Sequence, residues 1–223
     1  MKKNLIFPLF IFATQACATG MVPETSVLLV DAHKGEASMN VTNTDKNPAL
    51  LYTNIVDLPE SNKSVRLIVS QPVVRVEAGA VQRMRFILQT EKPLMQEELK
   101  RVTFEGIPPK EQGKERLAVT IRQDLPVIIH PAGLAEDTMP WKHLQWHKKG
   151  NMLEVSNPSA YVVRMTTGFT SLPSGRTGAL SKTYLLPHTS MTVKLPDASD
   201  SKIEFYPASR YGYKGERQIS PLQ

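Results

Sequence analysis

Beyond the N-terminal segment the sequence contains no cysteine, and its single one, Cys17, stands close behind an apolar stretch. A chain without thiols builds no disulfide, no thiolate zinc site and no iron–sulfur cluster, and it has no thiol nucleophile. Its stability has to come from buried apolar surface, which roughly 200 residues can supply as one large sandwich or as two domains of about 100 residues each. Later in the chain no segment approaches the ~18 apolar residues of a membrane helix. Gly-rich phosphate cradles, a G-x-S-x-G elbow and an H-E-x-x-H pair are also missing. His143 and His147 lie four apart, yet Trp141, His143 and Gln145 read better as the entry to a strand than as a metal site. Ser190, His188 and Asp197 form no triad that can be read from sequence, so no catalytic residue, metal or cofactor is expected. The formal charge of +6 is scattered and suits solvated faces better than a nucleic-acid surface.

What is present begins with a secretory signal. Lys2 and Lys3 form a positive region, residues 5–13 an apolar one, and Ala16-Cys17-Ala18 a cleavage site, so the mature chain is expected to start at Thr19 and to be exported to the periplasm. A lipoprotein reading of Cys17 is the alternative, though Thr14-Gln15-Ala16 is a poor context for lipidation.

The remainder alternates short apolar runs with turn signals, which points to an all-β class. Strands are expected at 25–30, 36–42, 49–57, 82–88, 101–107 and 116–129, separated by turns at Lys34-Gly35, 45–48, Ala78-Gly79 and Pro108-Pro109. That density is the density of an immunoglobulin-like sandwich. The character shifts after His130-Pro131-Ala132-Gly133, which places a first domain at 19–133 and a second at 134–223, with further strands at 144–147, 152–156, 161–169, 190–195 and 202–206. Residues 170–176 read as a solvated turn.

The segment from Leu117 to Ile129 is unusual. Leu117, Val119, Ile121, Gln123, Leu125, Val127 and Ile129 share one side of a strand, and its first half follows a charged loop at 110–116. It reads either as a long core strand or as a strand that overhangs its sandwich and shows an open apolar row. Such a row is an aggregation hazard unless a partner covers it by strand addition.

These residues resemble the periplasmic pilus chaperone family typified by PapD. The likeness runs in order through Asn40-Val41-Thr42-Asn43, Pro72 to Gly79, Arg85-Phe86, Glu97-Glu98-Leu99, Phe104, Ile107-Pro108-Pro109 and His130-Pro131, and it reaches the second half at Asn157-Pro158 and Tyr161-Val162. The resemblance implies two immunoglobulin-like domains in an L-shaped arrangement and no enzymatic activity. It also implies a donor strand whose Leu117, Val119, Ile121 and Leu125 complete the fold of a pilin subunit. The short loop before that strand resembles the subclass of the family with a short loop. At an outer-membrane usher the next subunit would displace the strand in ATP-free exchange.

Two departures accompany the likeness. The family's Arg and Lys that anchor a pilin's C-terminal carboxylate fall here on Ser26 and Pro126, so Thr25, Ser26, Arg101 and Arg122 become the anchor candidates. The family's interdomain trio appears as Glu97, His130 and Arg210, in which a Glu97–Arg210 pair could lock the domains. The chain could alternatively be a pilin or adhesin subunit, although it lacks the disulfide and the near-terminal aromatic typical of those. A secreted hydrolase would need a carboxylate or histidine cluster that the sequence does not show. Pilin subunits and an usher are the expected partners, and self-association could cap the unliganded edge.

Overall fold

A computed structural model describes residues 20–109 and 120–223 of the 223-residue chain. The signal segment, Leu117 and Val119 therefore lie outside the described residues. The first half holds β1 (Met21–Pro23), β2 (Leu28–Asp31), β3 (Glu36–Asn43), β4 (Ala49–Asp57), β5 (Val65–Val69), β6 (Val73–Val76), β7 (Val81–Thr90), β8 (Glu98–Ile107) and β9 (Arg122–His130). They follow one another in the order β5-β7-β3-β2-β9-β8-β4-β6, with β1 paired to β3. β2 is the strand that joins the two layers, pairing with β3 through Asp31 and Glu36 and running parallel to β9 along its whole length, Leu28 to Asp31.

Alternation explains the layering. β4 reads buried at Ala49, Leu51 and Thr53 and exposed at Leu50, Tyr52 and Asn54, so one face packs inward and the other meets water. Met39, Val41, Met84 and Phe86 from one layer meet Leu51, Val102, Phe104, Val127 and Ile129 from the other in a single core. Phe86 and Phe104 contact edge to face across it, with ring centroids 6.5 Å apart.

The second half repeats the plan with β10 (Gln145–Lys149), β11 (Met152–Asn157), β12 (Val163–Leu172), β13 (Arg176–Ala179), β14 (Tyr184–Leu185), β15 (Thr189–Lys194), β16 (Lys202–Pro207) and β17 (Gln218–Pro221). One sheet is β10-β11-β15 and the other β13-β12-β16-β17, with β14 paired to β12. Trp146 and Phe205, 5.1 Å apart, mark the core between them. A 3-10 turn at Pro140–His143 precedes β10, so His143 lies on a turn and not on a strand. The stretch at 170–176 is also not a simple solvated turn. β12 runs on to Leu172, Ser171 is buried, and the buried Asp200 accepts the Ser174 N–H at 2.8 Å.

A third apolar cluster lies between the domains. Val27, Leu99 and Ile128 of the first domain meet Val162 of the second, with Leu58, Tyr184 and Leu186 packed around them. Each of the four central side chains is almost fully buried, which corresponds to roughly 1.5–3 kcal/mol apiece as an upper figure. Phe104→Ala should lower stability by about 3–5 kcal/mol in urea unfolding, because it opens a cavity in the first core. Ile121→Ala, at a side chain 45% exposed, should stay within about 0.5 kcal/mol of the parent.

Candidate functional site

The site starts from an incomplete edge. β9 pairs with β8 along Arg122 to Ile129, but β2 covers its other edge only from Val127, which is opposite Leu28. From Arg122 to Pro126 that second edge has no strand partner among the described residues. Pro126 has no N–H to donate, and a stretch with one free edge is where a sheet tolerates proline. Directly before β9, Ile121 is 45% exposed, at the same strand parity as Leu125 and Val127, which enter the core.

The inner end of this edge meets the second domain. Arg101 stands opposite Pro126 and donates from Nε to Asp124 Oδ1 and from Nη2 to the Asp124 carbonyl, each at 2.8 Å. Ser26 donates from Oγ to the Tyr211 carbonyl at 2.7 Å, which holds the loop after β16 against the start of β2. Gly212 in that loop has φ +86°, and a Cβ there would come within 2.8 Å of Ser26 Oγ and 3.2 Å of Val27 Cγ2. Arg164 of β12 reaches the same place, with Nη2 3.7 Å from that Cβ position. Its Nη1 is buried and has no hydrogen-bond partner in the described residues. Burial pulls the Arg164 guanidinium below the ordinary arginine range, and the like charge of Arg101 adds to the effect.

Beside this cluster the domains are joined by polar contacts. Glu97 is buried, faces His130 Nδ1 with Oε1 at 2.8 Å and accepts the Val162 N–H on Oε2 at 2.8 Å. His130 Nε2 faces the Leu134 carbonyl at 2.9 Å. Lys182 of the second domain pairs with Glu60 of the first and holds its carboxyl below the usual carboxylate range. In the described residues no three metal-ligating side chains converge, and no helix is long and apolar enough to cross a membrane.

Comparison with known proteins decides the family. The model for the pili and flagellar-assembly chaperone PapD N-terminal domain matches residues 20–135, and that for the pili assembly chaperone PapD C-terminal domain matches 140–219. The chain belongs to the PapD family of pilus-assembly chaperones. It is 62% identical to the fimbrial chaperone YhcA of Escherichia coli K12, with 100% of both chains covered. Among solved structures it matches a chain of the Salmonella enterica SafA pilin–SafB chaperone complex at TM-score 0.75 and 21% identity, covering 93% of this chain and 99% of that one. The YadV chaperone matches at TM-score 0.74 and 18% identity, covering 92% and 100%. Members of this family are chaperones, not enzymes.

In this chaperone the residues singled out from sequence fall unevenly. Leu125 does not belong with the open row: it is 7% exposed and packs in the first core, paired with Val102. Arg122 sits at the outer end of β9, ion-paired with Glu105 at 2.9 Å, far from Pro126 along the strand. Thr25 donates to the Val27 carbonyl at 2.9 Å and serves its own turn. Ser26 stands at the Tyr211 carbonyl beside Gly212, while Arg101 stands opposite Pro126 and is bonded to Asp124. The Glu97–Arg210 lock is not formed, because both Glu97 oxygens are taken and Arg210 lies 3.7 Å from Glu136 instead. Arg164 and the exposed apolar residues Leu50, Tyr52, Val73 and Ile107 on the outer sheet face escaped sequence reasoning. An arginine two places after Tyr161-Val162, set between Val163 and Met165, was the available signal for the first.

Glu97→Ala would strand the Val162 N–H and the His130 ring without their acceptor. It should cost roughly 2–4 kcal/mol in chemical denaturation, whereas Glu36→Ala, at an exposed pair with Arg85, should cost under about 1 kcal/mol.

Proposed function

We propose that this chaperone binds exported pilin subunits in the periplasm by lending them the strand from Leu117 to Ile121, and that it delivers them to an outer-membrane usher. The observation that carries the reading is the free edge of β9 between Arg122 and Pro126, with Ile121 exposed where the strand enters the sandwich. A strand with one free edge supplies main-chain hydrogen bonds to an added chain, and alternate apolar side chains supply specificity. Leu117, Val119 and Ile121 are the three side chains that would enter the pilin, each contributing up to about 1.5–3 kcal/mol before ordering costs. Leu125 stays in the chaperone's own core. The solved complex of SafB with the SafA pilin, on the same fold, supports a pilin as the partner.

Domain limits of 19–133 and 134–223, with a signal at 1–18, complete the proposal. Export follows from the positive, apolar and small-residue pattern of the first 18 residues. Transfer at the usher needs no ATP, since an incoming subunit replaces one strand with another on the same edge. Without a pilin, two copies of the chaperone would shield their edges by pairing. Sizing the purified protein should then show its apparent mass rising with concentration, and an Ile121→Asp variant should remain monomeric.

Co-expression with a pilin subunit should yield a soluble one-to-one complex by size exclusion. Val119→Asp combined with Ile121→Asp should abolish it while leaving the chaperone folded by circular dichroism. Retention of the complex in that double variant would refute strand donation.

A further inference from the structure

The loop between β16 and β17 holds its backbone still and its aromatic side chains out. It is closed on itself, the Ser209 N–H donating to the Tyr213 carbonyl at 2.8 Å and the Gly212 N–H to the Ser209 carbonyl at 2.9 Å. Ser209 Oγ accepts the Tyr213 N–H at 3.2 Å, and Ala208 pairs with Lys214, whose ammonium lies 3.9 Å from the centre of the Tyr206 ring. The loop is also docked on the first domain. Ser26 Oγ donates to the Tyr211 carbonyl at 2.7 Å, and Gly212, at φ +86°, comes so near that a Cβ there would lie 2.8 Å from Ser26 Oγ.

This scaffold presents two tyrosines. Of the six in the chain, only Tyr211 and Tyr213 have most of their surface exposed, at 60% and 74%, and neither hydroxyl bonds to another described residue. The fold gains little from side chains held in this way. A partner gains more, because a tyrosine on a fixed backbone brings a large apolar area and a polar tip at a small cost in entropy. Such aromatic residues are enriched where proteins recognise one another.

Position names the partner. Ser26, which holds the loop, lies two residues before Leu28, where β2 begins to cover β9 opposite Val127. The loop therefore stands at the step where the covered edge gives way to the free edge over 122–126. A folded subunit added to that edge is far wider than the roughly 4.8 Å of its one pairing strand, so its body reaches past the edge to the loop. Tyr211 also lines the cleft between the domains, together with Leu29 and Lys34 of the first domain, and so borders the space that such a body enters.

Resting on the strand-donation reading above, we propose that the loop 209–215 of the second domain is a further contact surface for the pilin subunit, in which Tyr211 and Tyr213 pack on the subunit's body and discriminate among subunits. Pairing along β9 uses main-chain groups that every subunit offers, whereas the tyrosines meet side chains that differ from one subunit to the next.

The test uses the full chaperone co-expressed with a pilin subunit, with p-benzoylphenylalanine in place of Tyr213. Irradiating the purified complex should cross-link chaperone to subunit, and the same residue in place of Asn151, in the turn between β10 and β11, should not. Tyr211→Ser combined with Tyr213→Ser should shorten the lifetime of the complex about ten-fold, the loss typical of an aromatic anchor, and by unequal factors for two different subunits. Tyr211→Phe with Tyr213→Phe should restore most of that lifetime. A cross-link only to a second copy of the chaperone, or none at all, would overturn the proposal, as would serine variants whose complexes dissociate at the parent rate. Failure of strand donation reads separately, as survival of the complex in the Val119→Asp, Ile121→Asp variant. Failure of the loop contact alone leaves that variant without a complex and position 213 without a cross-link.

Discussion

Between Arg122 and Pro126 the backbone of β9 offers hydrogen-bonding groups on an edge that no other strand takes up among the described residues. Folded proteins rarely leave such an edge bare, because it templates association with any other extended chain. Here the gap follows from how β2 is used. The strand meets β3 only at Asp31 and covers β9 only from Val127, so the sandwich closes at one end and stays open at the other. The core does not suffer for it. Phe104, Val102, Val127 and Ile129 are sealed, and among the described residues of this strand the cost of incompleteness falls on main-chain groups and on the exposed side chain of Ile121.

The second domain gives this edge a floor. Val162 packs on Ile128 and Leu99, and its N–H is held by Glu97, so apolar and polar contacts fix the same junction. Lys182 with Glu60 adds a further tie at the surface. With the junction held, the loop carrying Gly212 and the strand carrying Arg164 stand at a set place against Ser26 and Val27. A cleft of this kind, closed at the inner end and open along one strand, can accept a chain lengthwise and stop it.

Much of this was legible in the sequence, where the pattern had physical force. Alternation identified 36–42 and 49–57 to within a residue, because each strand has one wet face and one dry face. Short strands such as Val65–Val69 and Val73–Val76 at the sheet edges gave no period to read. The family likeness was visible from ordered small motifs, and the comparisons agree with it. Side-chain roles were less accessible. Leu125 shares its parity with Ile121, and only the position where the sandwich begins to close separates a core residue from an exposed one. Glu97 and Arg210 looked like an ion pair from charge alone, yet Glu97 is taken by His130 and by a backbone N–H of the other domain. Arg164 could not be placed beside Ser26 from sequence, since more than half of the chain and a domain boundary separate them.

Amide hydrogen exchange along β9 tests the central claim most directly. In the free chaperone, at a concentration where it is monomeric, the amides of Gln123 to Leu125 that point away from β8 should exchange rapidly, while those of Val127 to Ile129 stay protected. In complex with a pilin subunit the former should become protected as well. Slow exchange of the former in the free monomer, unchanged by the subunit, would contradict the account.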